Sequence, residues 1–366
     1  MERPTPSPCR CEAIAGKPSW QTTQVHLWGI VLAGGDGRRL QPFIRACFGT
    51  ERPKQYCAFL DHRSMLCHTL ARAERLIPPE HLLTIITQRH LPYAREELRD
   101  RSPETIIVQP CNRETGPGIL LPLLHVYLRD PEAVVVLLPA DHFIREEARF
   151  MAAIACAAAY TDGCPAYPVL LGINPGRPEV DYGWIESGEV LKWVQGEAVH
   201  RVRRFWEKPC LDKATDLYLN GCLWNTMVLV ARATVLLELF ERLTPGLVRA
   251  FEPVRQVLGL PREIEAVQTA YAMLRPINFS QAVLASCPYR LAVLPVHGVY
   301  WSDWGDPARF CRIVPALRSN SHANTRRKGQ GEEIWVTLSP KGETETEYYS
   351  YLRAWIGSRR AALRAG

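Results

Sequence analysis

The stretch GIVLAGGDGRRLQP, Gly29 to Pro42, decides how the rest of the chain reads. It lies in an apolar run, VHLWGIVLAGG (Val25 to Gly35), that reads as a buried strand and ends abruptly in Gly34, Gly35, Gly37, Arg38 and Arg39. In an open parallel α/β sheet, ligands bind beyond the carboxyl ends of the strands, so a glycine-rich turn there is well placed to meet one. Glycine lets backbone N–H groups approach a phosphate closely, and arginine adds charge-assisted bonds to it. Two familiar phosphate loops do not fit. The G-x-x-x-x-G-K-[ST] pattern is absent, and the dinucleotide fingerprint lacks its third glycine, since Gly35 and Gly37 are followed by Leu40. By itself the turn fits a tight solvent loop equally well.

Outward from the turn, short apolar runs alternate with helix-length segments. Strands are expected at Leu82 to Thr87, Thr105 to Pro110, Ala133 to Asp141 and Pro168 to Asn174, and helices at Ser64 to Leu76, Pro92 to Arg99, Gly118 to Leu128 and Glu146 to Tyr160. Nearly continuous apolar strands separated by helices indicate a parallel sheet buried on both faces. After Gly183 strands dominate, in WIES, VRRFWE and MVLVARA. Helices are then expected from Val235 to about Leu258 and from Arg262 to Met273, with a strand at Leu291 to Val296. The domain is expected over residues 25–318. Residues 1–24, without the apolar core of a secretory signal, read as a disordered tail, 319–345 as a polar linker and 346–366 as a small terminal helix.

The composition narrows the function classes. With 366 residues, 47% hydrophobic and 22% charged, the chain has the balance of a globular protein with a sizeable core. It contains no run of about 20 apolar residues, so no membrane span is expected. The twelve cysteines are scattered and form no C-x-x-C pair, which argues against a structural zinc site or a disulfide framework. Most should be small buried residues of a reducing, cytoplasmic compartment. A net charge of +6 suits an anionic small substrate and is too dispersed for nucleic acid. Lysine is used only seven times, at 17, 54, 192, 208, 213, 328 and 341, which makes Lys54 and Lys208 conspicuous.

Eight segments, taken in order, carry a resemblance. LAGGDGRRLQP followed by RPKQY (Arg52 to Tyr56) resembles the signature of the sugar-1-phosphate nucleotidyltransferases, most closely the mannose-1-phosphate guanylyltransferase branch, with its GG-x-G-T-R-L-x-P and P-K-Q-[FY]. QPCNRETGPGI (Gln109 to Ile119) is similar to P-x-x-R-N-T-A-P-A-I, and LLPADHFI (Leu137 to Ile144) contains P-A-D-H. LGINPGRPEVDYGWIE (Leu171 to Glu186) resembles G-I-x-P-x-x-P-E-T-G-Y-G-Y-I. FWEKP (Phe205 to Pro209), LWNTMVLV (Leu223 to Val230) and YWSDWGDP (Tyr300 to Pro307) resemble F-x-E-K-P, W-N-S-G-x-F and W-x-D-x-G. Together they span about Gly29 to Arg309. Departures are Arg38 for Thr, Gln41 for the frequent Trp, Glu114 for Asn, and NFSQAVLA (Asn278 to Ala285), which lacks both acids of I-D-Y-A-V-M-E.

The resemblance implies a Rossmann-like α/β fold with a mostly parallel central sheet and a strand-rich sugar-binding region. It implies guanylyl transfer from GTP to mannose 1-phosphate, giving GDP-mannose and pyrophosphate, with Mg²⁺ bridging the phosphates. Another hexose 1-phosphate or nucleotide, or a catalytically silent sugar-nucleotide-binding regulatory paralogue, are the alternatives. No nucleic acid or membrane partner is implied, and a homodimer is allowed. Too few residues follow Asp306 for the isomerase domain of bifunctional relatives, which is expected to be absent.

The implied roles fall on particular residues. Leu32, Ala33, Gly34, Gly35, Gly37 and Arg39 would take the triphosphate, with Gln109 and the Gly116 region at the base. Lys54 would face the α-phosphate and the attacking phosphate. Asp141 and Asp303 would hold Mg²⁺, although on sequence alone Asp141 fits a helix cap and Asp303 a turn anchor equally well. Lys208 would hold the sugar phosphate, Glu207 and Asn225 would bind sugar hydroxyls, and Gly183 would permit close sugar approach. Such lysines and arginines are ordinarily solvated surface charges. His142 is expected to be structural, because an ionised phosphate nucleophile needs no general base.

Overall fold

The computed structural model describes residues 26–305. The tail, linker and terminal helix expected at 1–24, 319–345 and 346–366 lie outside that span. In chain order the described elements are β1 (Leu27–Leu32), α1 (Gln41–Phe48), α2 (Met65–Ala73), β2 (Leu82–Thr87), α3 (Leu91–Glu97), β3 (Ile106–Gln109), α4 (Thr115–Arg129), β4 (Val134–Pro139), β5 (Phe143–Ile144), α5 (Glu147–Gly163), β6 (Val169–Ile173), β7 (Gly183–Val194), β8 (Glu197–Glu207), α6 (Leu211–Leu219), β9 (Leu223–Arg232), α7 (Ala233–Leu243), α8 (Pro245–Arg255), α9 (Glu263–Met273), β10 (Ala292–Val296) and β11 (Trp301–Ser302).

The fold is α/β, as the alternation of apolar runs and helices requires. Nine strands form one sheet in the order β3-β2-β1-β4-β9-β6-β10-β8-β7. The pairings of β1 with β2 and β4, of β2 with β3 and of β6 with β10 are parallel. Strands β8 and β9 run antiparallel to every neighbour. Strand β7 also pairs with β9, so β9, β6, β10, β8 and β7 close into a ring beside the open parallel half.

Alternating side chains of the central strands bury on opposite faces, which is what a sheet covered on both sides demands. Leu27 and Val31 of β1, with Val134, Val136 and Leu138 of β4, pack with α2 and α5. Trp28 and Ile30, with Val135 and Leu137, pack with α4, α7, α8 and α9. A third, smaller cluster joins Leu40, Phe43, Ile44, Phe59, Phe143 and Trp304. It seats α1 and the small β5–β11 sheet beyond the ends of β1 and β4.

Several elements differ from the sequence expectation. WIES and VRRFWE are parts of one long hairpin, β7–β8, whose turn Gln195-Gly196 has positive φ at both residues (52° and 84°). That is the backbone which matches strand twist in a tight two-residue turn. The segment expected to be helical from Val235 is broken at Thr244, where Pro245 opens α8. Helices α1 and α6 were not expected. Of the cysteines, Cys57, Cys156, Cys222 and Cys287 are buried, while Cys111 and Cys210 are exposed. Among the described residues no helix is long and apolar enough to cross a membrane.

Candidate active site

A cleft of about 410 Å³ opens beyond the carboxyl ends of β1, β3 and β4. On one side lies the glycine turn. Leu32, Gly34, Gly35, Gly37 and Arg39 line the cleft. Gly37 adopts φ 59°, and a Cβ there would come to 3.4 Å from the Lys54 backbone nitrogen, so turn and PKQY segment are packed closely. Gln55 fixes the turn. It is 3% exposed, and its side-chain amide donates to the carbonyls of Ala33 (2.8 Å) and Gly35 (2.9 Å). Ala33 is itself buried and contributes backbone rather than cleft surface. In the RPKQY segment Gln55 stands beside Lys54 and carries no expected role; its burial, which obliges a polar side chain to find partners, shows only in the fold.

At the floor, Lys54 is only 4% exposed. Its ammonium pairs with Asp141 Oδ2 at 2.8 Å and also donates to the Asp303 backbone carbonyl. Asp141 lies two residues past the end of β4, with about a third of its side chain facing the cleft (35%). Enclosure pushes the Asp141 carboxyl up, but the Lys54 ammonium, helped by His142, outweighs this and holds it below the usual carboxylate range; Asp303 opposes. Asp303 Oδ1 accepts from the Tyr182 hydroxyl (2.8 Å) and from the Gly305 N–H (2.9 Å). Asp141 and Asp303, 162 positions apart in sequence, thus share one lysine. Burial pushes the His142 imidazole down to about 4, against the pull of Asp141, and the Trp301 indole N–H donates to its Nδ1 at 3.3 Å.

On the far side, Gly183 at the start of β7 faces Glu207 at the end of β8. A Cβ on Gly183 would meet Glu207 Oε2 at 3.1 Å and Asn225 Cβ at 3.2 Å, so the missing side chain is what lets those two groups converge. Burial raises the Glu207 carboxyl; Lys208 works against this and Glu114 adds to it. Asn225 is set by a bulge. Register slips between Leu170 and Gly172, Thr226 Oγ1 donates to Leu171 O (2.7 Å), and Asn225 Oδ1 accepts from the Met227 N–H (3.1 Å).

Gln109 ends β3, is 3% exposed and lines the cleft, its Oε1 accepting from the Tyr271 hydroxyl at 2.9 Å. Gly34 admits it: a Cβ there would fall 2.3 Å from Gln109 Nε2. Gly116 is placed differently from its neighbours. Its N–H bonds to Ile277 O, and a Cβ would lie 2.8 Å from that oxygen, so it packs α4 on the 277 segment while Gly118 lines the cleft. Arg39, Gln109, Asp141, Gly183, Glu207, Lys208, Asn225 and Asp303 therefore share one cavity, with Lys54 beneath it.

A sequence model of the family described as "Nucleotidyl transferase" matches residues 28–320. The chain belongs to the nucleotidyl transferase family. Among curated relatives, "Mannose-1-phosphate guanylyltransferase" of Escherichia coli strain K12 is 33% identical over 234 residues, 63% of this chain and 48% of that protein. "Mannose-1-phosphate guanylyltransferase RfbM" of Salmonella typhimurium is 33% identical over 283 residues, 75% of this chain and 56% of the relative. The chain thus spans about half the length of the curated relatives it matches. A crystal structure described as "mannose-1-phosphate geranyltransferase" from Thermus thermophilus superimposes with a TM-score of 0.65 at 28% identity, covering 78% of this chain and 79% of that one.

Proposed function

We propose that the chain transfers a guanylyl group from GTP to mannose 1-phosphate, releasing pyrophosphate. The observation that carries this reading is the Lys54–Asp141–Asp303 floor between a glycine turn bearing Arg39 and a wall bearing Glu207, Lys208 and Asn225. Two anionic reactants have to meet, so catalysis is mainly positioning and charge neutralisation. A phosphate oxygen of the sugar phosphate attacks the α-phosphorus of GTP; the new P–O bond forms as the bond to the β-phosphate oxygen breaks, and pyrophosphate carries off the electron pair.

Backbone N–H groups of the glycine turn and Arg39 hold the triphosphate. Lys208 holds the sugar phosphate, and Lys54, kept in place by Asp141, neutralises charge gathering at the α-phosphorus. Glu207 and Asn225 orient sugar hydroxyls. No side chain has to take a proton from the nucleophile, because a phosphate monoester is already ionised at neutral pH. Asp141 and Asp303, two carboxylates lining one cleft, would hold a hard divalent cation such as Mg²⁺. Its charge would offset that of the phosphates.

The test is pyrophosphate release by the full chain with each of the four NTPs against a set of hexose 1-phosphates, with Mg²⁺ or with EDTA. The expected result is the highest kcat/KM for GTP with mannose 1-phosphate, abolished by EDTA. A tenfold or larger preference for another pair, about 1.4 kcal/mol, overturns the substrate assignment. Binding without turnover for every pair overturns the enzyme assignment.

A further inference from the structure

Arg39, at the end of the glycine turn, does not simply face the cleft. Its guanidinium pairs with Asp181 Oδ1 at 2.9 Å. Asp181 lies two residues before the start of β7, on the opposite wall, and it too lines the cavity. We propose that Asp181 competes with the incoming triphosphate for Arg39: it holds the guanidinium across the mouth of the cleft until nucleotide displaces it. The inference rests on the nucleotide reading proposed above.

The physical case is one of competition. A single carboxylate on a half-exposed pair (56% and 34% side-chain exposure) binds guanidinium weakly, because solvent screens it and both side chains lose freedom. A triphosphate brings several charges and bidentate acceptor geometry, and takes over the guanidinium. Until then the pair keeps Arg39 over the cavity rather than in bulk water. The cost is that every triphosphate has to displace a carboxylate, and that the displaced carboxylate remains near the phosphates. The neighbouring backbone makes Asp181 a suitable anchor. Tyr182 donates its hydroxyl to Asp303, and its carbonyl accepts the Lys208 N–H at 3.2 Å, so the anchor is tied to the cleft floor and to the sugar side.

The experiment is calorimetric titration of the full chain with GTP, ATP, CTP, UTP and inorganic pyrophosphate at fixed ionic strength, for the unaltered protein, Asp181→Asn, Arg39→Gln and the double variant. Asn keeps the size of Asp and removes the competing charge. Asp181→Asn is expected to tighten the best-bound nucleotide about three- to fivefold, the scale of one partly exposed ion pair. Arg39→Gln should weaken it, and in that background Asp181→Asn should change affinity less than twofold, which isolates the pair from a general loss of negative charge. An equal gain with and without Arg39, or weaker binding in Asp181→Asn with an unchanged melting curve, overturns the role of Asp181. If the unaltered chain binds nucleotide and Asp181→Asn binds it equally, Asp181 alone loses its role. If neither binds any of the five probes, the nucleotide reading falls with it.

Discussion

Of the five described non-glycine residues with positive φ, three line the cleft and a fourth stands beside it: Glu114 (69°), Lys208 (50°), Met227 (58°) and Trp304 (43°). Each such conformation costs on the order of 1–3 kcal/mol and survives only when its surroundings over-determine it. Here each residue's N–H is claimed by a fixed acceptor: Asn112 Oδ1 for Glu114, Tyr182 O for Lys208, Asn225 Oδ1 for Met227 and Ser302 Oγ for Trp304. The departure at 114 gains meaning from this. Asn tolerates positive φ better than Glu, so the Glu side chain is kept against a backbone preference, with Asn278 donating to its carboxylate at 3.4 Å. Lys208, bent by the same device, has 53% of its side chain exposed and lines the cavity. Lys208→Ala is expected to raise the KM for the sugar phosphate tenfold or more, the order of a charge-assisted phosphate contact, and to leave the KM for GTP within about twofold. Steady-state kinetics with each substrate varied in turn decides it, and a rise confined to GTP would place Lys208 on the nucleotide side.

At the scale of elements, the joint between α2 and α5 is an ion pair rather than apolar packing alone. Arg72, 3% exposed, pairs with Glu147 at 3.2 Å and donates to Thr69 Oγ1 at 3.1 Å; Glu147 also takes Arg75 at 2.7 Å. Removing one partner of a buried pair is costly chiefly because the other charge stays buried. The two deletions should therefore differ. Glu147→Ala strands Arg72 and should cost about 3–5 kcal/mol. Arg72→Met leaves Glu147 with Arg75 near the surface and should cost less than half as much. Urea unfolding of both variants measures this; equal losses, or a larger loss for Arg72→Met, contradict the asymmetry. Sequence reading placed both helices but not the pair, because which faces of two distant helices meet is set by how each packs on the sheet.

At the scale of the whole molecule, β4 and the β11 turn bring Asp141 and Asp303 to one lysine. Asn at either position keeps the size and removes the charge. Asp141→Asn and Asp303→Asn are each expected to lower kcat about 10²-fold or more, the order of one lost electrostatic stabiliser. The double variant should fall well short of the product of the two losses, since the pair acts as a unit. Pyrophosphate release across a Mg²⁺ titration, with an unfolding curve for each variant, distinguishes this from structural roles. Single variants at near-normal rates would remove both residues from the machinery. How much of this was legible beforehand follows from the range of the forces involved. Apolar periodicity and glycine placement are local, so the parallel half of the sheet, the longer strands and the glycine turn could be read from the residues alone, though not the short β5–β11 pair, and the eight ordered motifs named the candidates for the cleft. Closure of β7 onto β9, the bulge that aims Asn225, the amide of Gln55 that locks the glycine turn and the Arg39–Asp181 pair depend on segments 20 to 142 positions apart meeting in space. Only tertiary packing decides those, because a hydrogen bond or ion pair acts over a few ångströms and leaves no period in the sequence by which to find it.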